Sequence, residues 1–363
     1  MGQYLRQWTL MANKGEWSEV YVFLRLLAEG RLYCGDGWLN RYDDRWYDIL
    51  EVFRDDSPTR NEYRVIHAKK SILAVGDCWE LELPQGVFME CAMELLEQIR
   101  GKGDTSRLND VRRFMSDIGC GGIKAKSTDK ADIRIVIHNC NTGSKPELGY
   151  SVKSRLGAPS TLINSNRDGT NFVFAIEGLN ESVAGEVNGL KRFKAKFDEI
   201  SKCGASWRFS HVASSIFHNN LLMLDMGIER IVADCLGKYY SGQAKSVEDA
   251  IRLVSEDNPF GFDMSGHQPM YEYKMKQFLL AFALGMTPTT PWMGQFNANG
   301  GYIVVKEDGD IVCYHFFDRN DLEDYLFYNT VFDTPSTSRH GFGEVYREDG
   351  QWRMKLNLQI RFK

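Results

Sequence analysis

Apolar residues occupy every second position in two runs near the middle of the chain. The runs are Ile133, Ile135, Ile137 and, after a polar turn, Leu148, Tyr150, Val152. A period of two is typical of a β-strand with one apolar face. The pattern therefore predicts two neighbouring strands in a hairpin-like pair, within the stretch from 130 to 155.

Polar residues that could take part in catalysis lie on the other face of these strands. Asp132 alternates with the isoleucines of the first strand, and Ser151 and Lys153 share the polar face of the second. Asp132 and Lys153 are thus predicted to lie side by side. A carboxylate can hold Mg²⁺ and a lysine can orient an attacking water, as metal-assisted phosphodiester cleavage requires. The alternative is an ordinary surface ion pair across two strands.

Helical spacing of apolar residues predominates in other parts of the chain. The predicted helices are 13–29, closed by Gly30, then Gly86–Ile99, Ser106–Ile118, 184–202, a helical stretch over 209–238 broken near Gly227, 247–255 and 271–284. The first has Val20, Phe23, Leu24 and Leu27 as its buried stripe. Glu19 on this helix either complements the helix dipole or leans over the catalytic sheet to assist a metal.

Further strands are predicted on both sides of the central pair. They are Tyr63–Ala74, Trp79–Leu83, Phe172–Ile176 as a third strand of the central sheet, Gly301–Val305, Ile311–Phe316 and Trp352–Ile360. The chain is predicted to be α/β (α+β), with five regions. These are an opening helix (1–30), an insertion that packs beside the core or contacts DNA (31–119), a catalytic core (120–180), a helical region (181–290) and a strand-rich recognition region (291–363).

Composition narrows the class of protein. The 363 residues are 43% hydrophobic, enough for a substantial core, and no apolar run is long enough to span a membrane. The opening residues lack the apolar core of a signal peptide, so the expected location is the cytoplasm. Eight cysteines without a Cys-x-x-Cys pair, and seven dispersed histidines, favour neither a zinc site nor a disulfide framework.

Charge is concentrated in two basic islands within a chain of net charge −5. Residues 120–170 contain eight basic and four acidic residues, and residues 337–363 contain six and three. Basic islands of this kind can dock phosphate. The loop at 156–171 is rich in hydroxyl and amide side chains that either contact DNA or form turns. The final strand carries Asn, Gln and Arg on one face, which either reads base edges or is simply exposed.

Several separated motifs, in order, resemble the HpaII type II restriction endonuclease family essentially from end to end. The motifs are Asn-Lys-Gly-Glu-Trp-Ser-Glu at 13–19, Asp-Ile at 132–133, Leu-Gly-Tyr-Ser-Val-Lys-Ser at 148–154, Leu-Gly-x-Pro-Ser-Thr-Leu-Ile-Asn at 156–164, Thr-Asn-Phe at 170–172, Ser-Arg-His at 338–340 and Leu-Asn-Leu-Gln-Ile-Arg-Phe at 356–362. The resemblance implies a nuclease core of the PD-(D/E)xK type and Mg²⁺-dependent cleavage of double-stranded DNA at a short palindrome, CCGG in the namesake.

The resemblance also assigns candidate site residues. The candidate catalytic set is Asp132, Ser151, Lys153 and Glu19, with Asp132 and Glu19 as metal ligands. The candidate DNA contacts are Arg155, Ser160, Thr161, Asn164, Thr170, Asn171, Ser338, Arg339, His340, Gln359 and Arg361. A homodimer would suit a symmetric site, although a monomer could also act. A cognate DNA methyltransferase is implied as a functional rather than a physical partner.

Ser151 departs from the wider superfamily, which has an acidic residue two positions before the lysine. A serine does not replace that negative charge, so a second carboxylate must come from elsewhere; Glu19, Glu147 and Glu177 are the candidates in that order. The alternative is that the metal is held by Asp132, a backbone carbonyl and waters. The competing function is a sequence-specific DNA-binding protein whose nuclease site has degenerated.

Overall fold

The computed structural model describes residues 14–55, 60–101, 105–120, 131–139, 143–296 and 300–363. The predicted helix start at Asn13 and the first residue of the central stretch, Lys130, lie outside these ranges. The chain divides into two compact units. Unit 1 comprises Met1–Pro159 and Asn297–Leu322, and unit 2 comprises Ser160–Phe296 and Glu323–Lys363.

The described residues contain both helices and strands, which makes the protein a mixed α/β structure. The helices are α1 Lys14–Glu29, α2 Gln85–Ile99, α3 Thr105–Asp117, α4 Glu181–Gly189, α5 Phe193–Lys202, α6 Ser215–Leu224, α7 Ile228–Tyr240, α8 Val247–Asp257, α9 Met270–Leu284, α10 Arg319–Tyr328 and α11 Thr337–His340. The strands are β1 Arg31–Gly35, β2 Arg41–Asp55, β3 Arg60–Ile66, β4 Ser71–Gly76, β5 Trp79–Pro84, β6 Ile133–His138, β7 Glu147–Ser154, β8 Thr161–Ile163, β9 Asn171–Glu177, β10 Ser206–Val212, β11 Gly301–Val305, β12 Ile311–His315, β13 Thr330–Phe332, β14 Val345–Glu348, β15 Gln351–Asn357 and β16 Ile360–Phe362. No helix in the described ranges combines the length and apolar character needed to cross a membrane.

Unit 1 is built on a nine-stranded mixed sheet with the order β1-β12-β11-β7-β6-β2-β3-β4-β5. The long strand β2 also pairs with β1, so six of the strands close into a ring. Most neighbours are antiparallel, but β11 runs parallel to β7 and β12 parallel to β1. The strand that carries Lys153 therefore lies inside the sheet, between β6 and β11.

Helix α1 joins this sheet to α2. Its predicted stripe is buried, and so are Tyr21, Val22 and Leu26, so α1 is apolar on more than one side. Such a helix must be covered from two directions. It packs against α2 and against β7, β1 and β2, and it ends at Gly30, whose φ of +64° suits glycine.

Unit 2 contains two smaller sheets and most of the helices. One sheet has the order β10-β9-β15-β14 and the other β13-β16-β8. Strand β9 is buried along nearly its whole length: β10 and β15 flank its edges, and Phe217 of α6 contacts its Phe172. The buried Phe172 and Phe174 of β9 contact Phe209 of β10.

The structure confirms the central strand pair, the helices at 86–99, 106–118, 247–255 and 271–284, the break near Gly227, and the strands at 301–305 and 311–316. Burial in β6 alternates as the isoleucines predict. The turn at Asp308-Gly309 joins β11 to β12, with Gly309 at a φ of +83°.

Several predicted elements are wrong in extent or in partner. Residues 172–176 do form a strand, but it belongs to a sheet of unit 2 instead of the central sheet. Conversely, β11 and β12 belong to the central sheet, so the C-terminal strands do not form one region. The stretch 31–119, expected to be an insertion, supplies β1 to β5 of that same sheet.

Local breaks explain the remaining differences. The strand predicted over 63–74 turns at 67–70, where Lys70 has a φ of +52°. The helix predicted over 184–202 breaks into α4 and α5, and the helical stretch predicted from 209 opens with the strand β10. The last predicted strand stops at Asn357 and resumes at Ile360, where the chain joins the other sheet of unit 2, and the alternation is lost because Leu356, Asn357 and Leu358 are all buried.

Candidate active site

Strand register brings Asp132 beside the polar face of β7. Ile133 pairs with Tyr150 in the antiparallel β6–β7 ladder, and the Asp132 backbone N–H donates to the Tyr150 carbonyl at 2.8 Å. Asp132 therefore stands at the start of β6, level with Ser151. The predicted placement of the Asp132 and Lys153 side chains on one face is confirmed.

Ser151 connects the two charged residues. Asp132 Oδ2 accepts the Val152 backbone N–H at 2.8 Å and the Ser151 hydroxyl at 3.0 Å. Ser151 Oγ in turn accepts a hydrogen bond from Lys153 Nζ at 3.1 Å. The result is a continuous chain of donors and acceptors from ammonium to carboxylate, held at both ends by a sheet.

Two opposing effects act on the pKa of Lys153. Loss of water around the ammonium lowers the pKa of Lys153, and the negative charges of Asp132 and Glu19 oppose this effect. Burial is the larger cause, so the proton is held less tightly than in a free lysine. A lysine of this kind can exchange a proton more readily with a nearby water.

Tyr302 forms a wall of the site that the sequence analysis did not identify. The parallel register of β11 on β7 pairs Tyr302 with Ser151, and the Lys153 ammonium lies 5.0 Å from the centre of the tyrosine ring. Burial and the Asp132 charge raise the pKa of Tyr302, so the phenol stays neutral. An aromatic face at this distance attracts a cation.

Helix α1 is attached to the end of β7 next to these residues. The hydroxyls of Ser18 and Ser154 are 2.8 Å apart, and Ser18 Oγ also lies 2.8 Å from the Lys14 carbonyl. Glu19 follows Ser18, and its charge acts on Lys153. The helix therefore brings a second carboxylate into the electrostatic field of the Asp132–Lys153 pair.

The donor set fits Mg²⁺ in chemical type. Within the described part of the chain, Asp132 Oδ1 has no hydrogen-bond partner and so can accept a cation, while Oδ2 is fixed by two donors. In the same ranges, no three acidic, histidine or cysteine side chains are grouped closely enough to hold a metal ion by themselves. Mg²⁺ is usually bound through one or two carboxylates, substrate oxygens and water, so this limit does not conflict with Asp132 and Glu19.

The other two acidic candidates are engaged elsewhere. Glu147 lies at the opposite end of β7 from Lys153, and its carboxylate contacts Arg60 at 2.7 Å and Arg134 at 3.6 Å. Glu177 lies in unit 2, where it accepts from Arg208 Nε at 2.9 Å. Within unit 1, the structure does not group Glu147 with the Asp132–Ser151–Lys153 chain.

Candidate DNA contacts around 155–164 are accessible in part. Arg155 is half-buried in unit 1, where its backbone N–H donates to the Val305 carbonyl at 2.9 Å. Ser160 and Thr161 in unit 2 are also half-buried, and Thr161 pairs with Arg361 in the β8–β16 ladder. Asn164 is exposed.

Thr170 and Asn171 are buried in a polar network instead of facing solvent. The Thr170 hydroxyl donates to the Asn166 carbonyl at 3.0 Å and lies 3.2 Å from Asn357 Oδ1. Asn171 Nδ2 donates to the carbonyls of Arg167 and His340 at 2.8 and 3.0 Å. These side chains hold the 166–171 loop to α11, which explains their polarity without a DNA contact.

The C-terminal candidates are similarly mixed. Ser338 and Arg339 are exposed on α11, and His340 Nε2 lies 3.2 Å from Ser165 Oγ. Arg361 contacts Asp333 at 3.5 Å, and Gln359 Oε1 is buried. Of this group, Ser338 and Arg339 are the most accessible to a large ligand.

Comparisons with known proteins agree with the family resemblance of the sequence motifs that contain these residues. A sequence model of the HpaII restriction endonuclease family matches residues 13–362. The chain is 39% identical over 352 residues to the type II restriction enzyme HpaII of Haemophilus parainfluenzae, covering 96% of this chain and 98% of that protein. No solved structure matches the chain. With a family match that spans both units, the chain belongs to the HpaII restriction endonuclease family.

Proposed function

We propose that the protein is a type II site-specific deoxyribonuclease that hydrolyses phosphodiester bonds of double-stranded DNA. The observation that carries this proposal is the hydrogen-bond chain from Lys153 through Ser151 to Asp132, in a member of the HpaII family. A lysine and a carboxylate linked in this way can assist the attack of a water molecule on phosphorus.

In the proposed mechanism each side chain has a separate role. Asp132 and Glu19 would hold Mg²⁺, which when bound neutralises charge on the phosphate and lowers the pKa of water. The ammonium form of Lys153 orients the attacking water, and its neutral form, which burial favours more than in a free lysine, takes up a proton from that water. The new P–O bond forms as the opposite P–O bond breaks, and the leaving oxygen takes a proton from solvent.

Ser151 supplies alignment instead of charge in this proposal. Its hydroxyl donates to Asp132 and accepts from Lys153, so it fixes the distance between the two groups. The negative charge that superfamily members have at this position comes from Glu19 on α1. The fold around these residues, a mixed sheet flanked by α1, suits a core of the PD-(D/E)xK type.

Recognition is proposed to involve the exposed or half-exposed candidates Arg155, Ser160, Thr161, Asn164, Ser338, Arg339, His340 and Arg361. Arginine pairs bidentately with guanine, which suits a G·C-rich site such as CCGG. A palindrome would favour a homodimer with one site per strand. The expected setting is the cytoplasm, with a DNA methyltransferase as the functional partner that protects the host sites.

Digestion of a sequenced plasmid tests this proposal. We expect discrete fragments with Mg²⁺ and none without it, with fragment ends at CCGG. Asp132→Asn should abolish the fragments while duplex binding persists in a gel-shift assay. Asp117→Asn, which changes an exposed carboxylate on α3, is the matched control and should cut normally.

The second candidate is a sequence-specific DNA-binding protein without cleavage. It is favoured by Ser151, which stands where related nucleases have an acidic residue. The same gel separates the two functions, since retardation of the duplex with no cutting at any Mg²⁺ concentration would contradict the nuclease and support the binder.

A further inference from the structure

Unit 2 contains a cavity of about 640 Å³ whose lining combines lysines with aromatic rings. The residues that matter are Lys191, Lys196, Lys355, Phe193, Phe342 and Tyr346. We refer to it as the lysine cavity. The hydroxyl-bearing Thr337 and Ser338 of α11 also line it, and Glu344 is its one acidic lining residue among those described.

Lys196 is the buried cation of this cavity. The residue is 6% exposed, and its ammonium donates to the Gly343 carbonyl at 2.6 Å. It forms no ion pair within the described part of the chain, although the charge of Glu344 acts on it. An ammonium has three donors, and a single neutral carbonyl leaves it poorly compensated for burial.

The other two lysines are also without ion pairs in the described ranges. In this they differ from Lys238, which contacts Asp257 at 2.6 Å, and from Lys202, which contacts Glu199 at 3.1 Å. Lys355 instead lies 5.5 Å above the ring of Tyr346. Three cations against one acid therefore give the lysine cavity a net positive charge.

The walls of the lysine cavity are held by specific hydrogen bonds. Asn188 exchanges two bonds with the Val345 backbone, at 2.8 and 2.7 Å, which joins α4 to β14. The Gly343 N–H donates to the Lys355 carbonyl at 2.9 Å. Gly343 has a φ of +87°, and a side chain there would come within 2.6 Å of Phe193. The carbonyl that accepts from Lys196 is thus fixed in place.

Cations beside flat apolar surfaces match the chemistry of a sugar-phosphate unit. A phosphate can accept from several ammonium groups and from the Thr337 and Ser338 hydroxyls, while an attached sugar packs against Phe342 or Tyr346. We propose that the lysine cavity binds a backbone phosphate of the DNA duplex, an inference that rests on the proposed nuclease function. Lys196 is its buried anchor, and Lys191 and Lys355 complete the contact.

Salt dependence of DNA affinity tests the proposal directly. Duplex binding is measured without divalent metal over a series of salt concentrations, for the wild type and for the double variant Lys191→Ala/Lys355→Ala. Loss of a phosphate contact lowers the slope of log affinity against log salt by about 1 and weakens binding about equally on specific and unrelated duplexes. Lys196→Met, which keeps side-chain length, should act in the same direction, with its fold checked by circular dichroism.

The matched control is Lys194→Ala/Lys202→Ala, which removes the same charge from exposed positions of α5 outside the lysine cavity. The proposal is overturned if the cavity variant and the control change the slope equally, or if neither changes it. If the wild type cuts DNA and the cavity variant keeps the wild-type slope, only the proposed phosphate contact in the lysine cavity is contradicted. Wild-type protein that does not bind DNA contradicts the nuclease function as well.

A thermal-unfolding titration with inorganic phosphate identifies the source of the anion. Stabilisation of the wild type by phosphate, lost in the cavity variant together with the change in salt slope, supports a site for DNA phosphate. Stabilisation by phosphate with an unchanged salt slope would instead assign the cavity to a free anion and overturn the DNA contact.

Discussion

Two lysines, one in each unit, have contrasting surroundings for a buried ammonium. Burial lowers the pKa of both Lys153 and Lys196. Lys153 donates to a hydroxyl that is itself bonded to a carboxylate, whereas Lys196 donates to a neutral backbone carbonyl. Two negative charges act on Lys153, and one acts on Lys196.

The difference indicates that the charges of its neighbours decide whether a buried lysine suits catalysis or anion binding. Carboxylates close to an ammonium can hold a metal ion, while the lysine orients a water molecule. An ammonium with few acidic neighbours retains its attraction for an anion. We therefore propose that unit 1 carries the chemistry and that unit 2 carries part of the binding.

The largest effect is expected at Lys153, the candidate catalytic lysine of this comparison. Lys153→Ala should lower the cleavage rate about 10²- to 10⁴-fold, the range of general acid–base assistance, with duplex affinity retained. Single-turnover cleavage and a gel-shift assay measure the two quantities. Lys196→Met should instead raise KM and leave kcat close to the wild-type value.

Lys145→Ala is the matched control, since Lys145 is exposed just before the same strand. Cleavage by Lys153→Ala at the wild-type rate would remove Lys153 from the mechanism. A fall in kcat for Lys196→Met as large as that for Lys153→Ala would show that the two lysines do not differ in use.

A smaller effect is expected from the serine between the charges. Ser151→Ala removes the hydrogen bonds to Asp132 and Lys153, and one bond to a charged group contributes about 1.5 kcal/mol, or roughly tenfold in rate. The single-turnover rate should therefore fall about tenfold without a change in affinity. Ser144→Ala, at an exposed position before β7, is the control; an unchanged rate for Ser151→Ala would mean that the backbone alone aligns Asp132.

The smallest effect concerns stability and pH. The folded-state pKa of Lys153 is below its ordinary value of 10.5, so the unfolded state binds more protons between the two values. Stability of the wild type relative to Lys153→Met should then rise as pH rises through this window, because the charge penalty disappears. Urea unfolding at about pH 7.5 and 9.5, without metal, measures it; a relative stability that falls with pH would have the wrong sign.

The placement of the candidate site residues was largely predictable because it depends on local alternation. Asp132, Ser151 and Lys153 follow from a period of two over adjacent strands, and α1 follows from its apolar spacing. Tyr302 was not predictable in this way, since it reaches the site through parallel pairing of β11 with β7. Pairing between distant segments leaves no signal in the spacing of either strand.

The recognition candidates show a different limit. Thr170, Asn171 and Asn357 have the composition of a DNA-binding surface but form a buried network. Sequence composition gives the hydrogen-bonding capacity of a side chain, and only the fold determines whether its partner is DNA or the protein itself. Lys196 is the reverse case, since a lysine, normally an exposed residue, is buried on α5.

The parallel pairing of β7 with β11 also affects when the nuclease can assemble. A nascent chain that ends before Gly301 already carries Asp132, Ser151 and Lys153, but it lacks the strand that flanks them with Tyr302. Ser160–Phe296 must be synthesised in between. A fragment released early by the ribosome would thus hold these three side chains on β6 and β7 without β11, the strand that completes this part of the sheet.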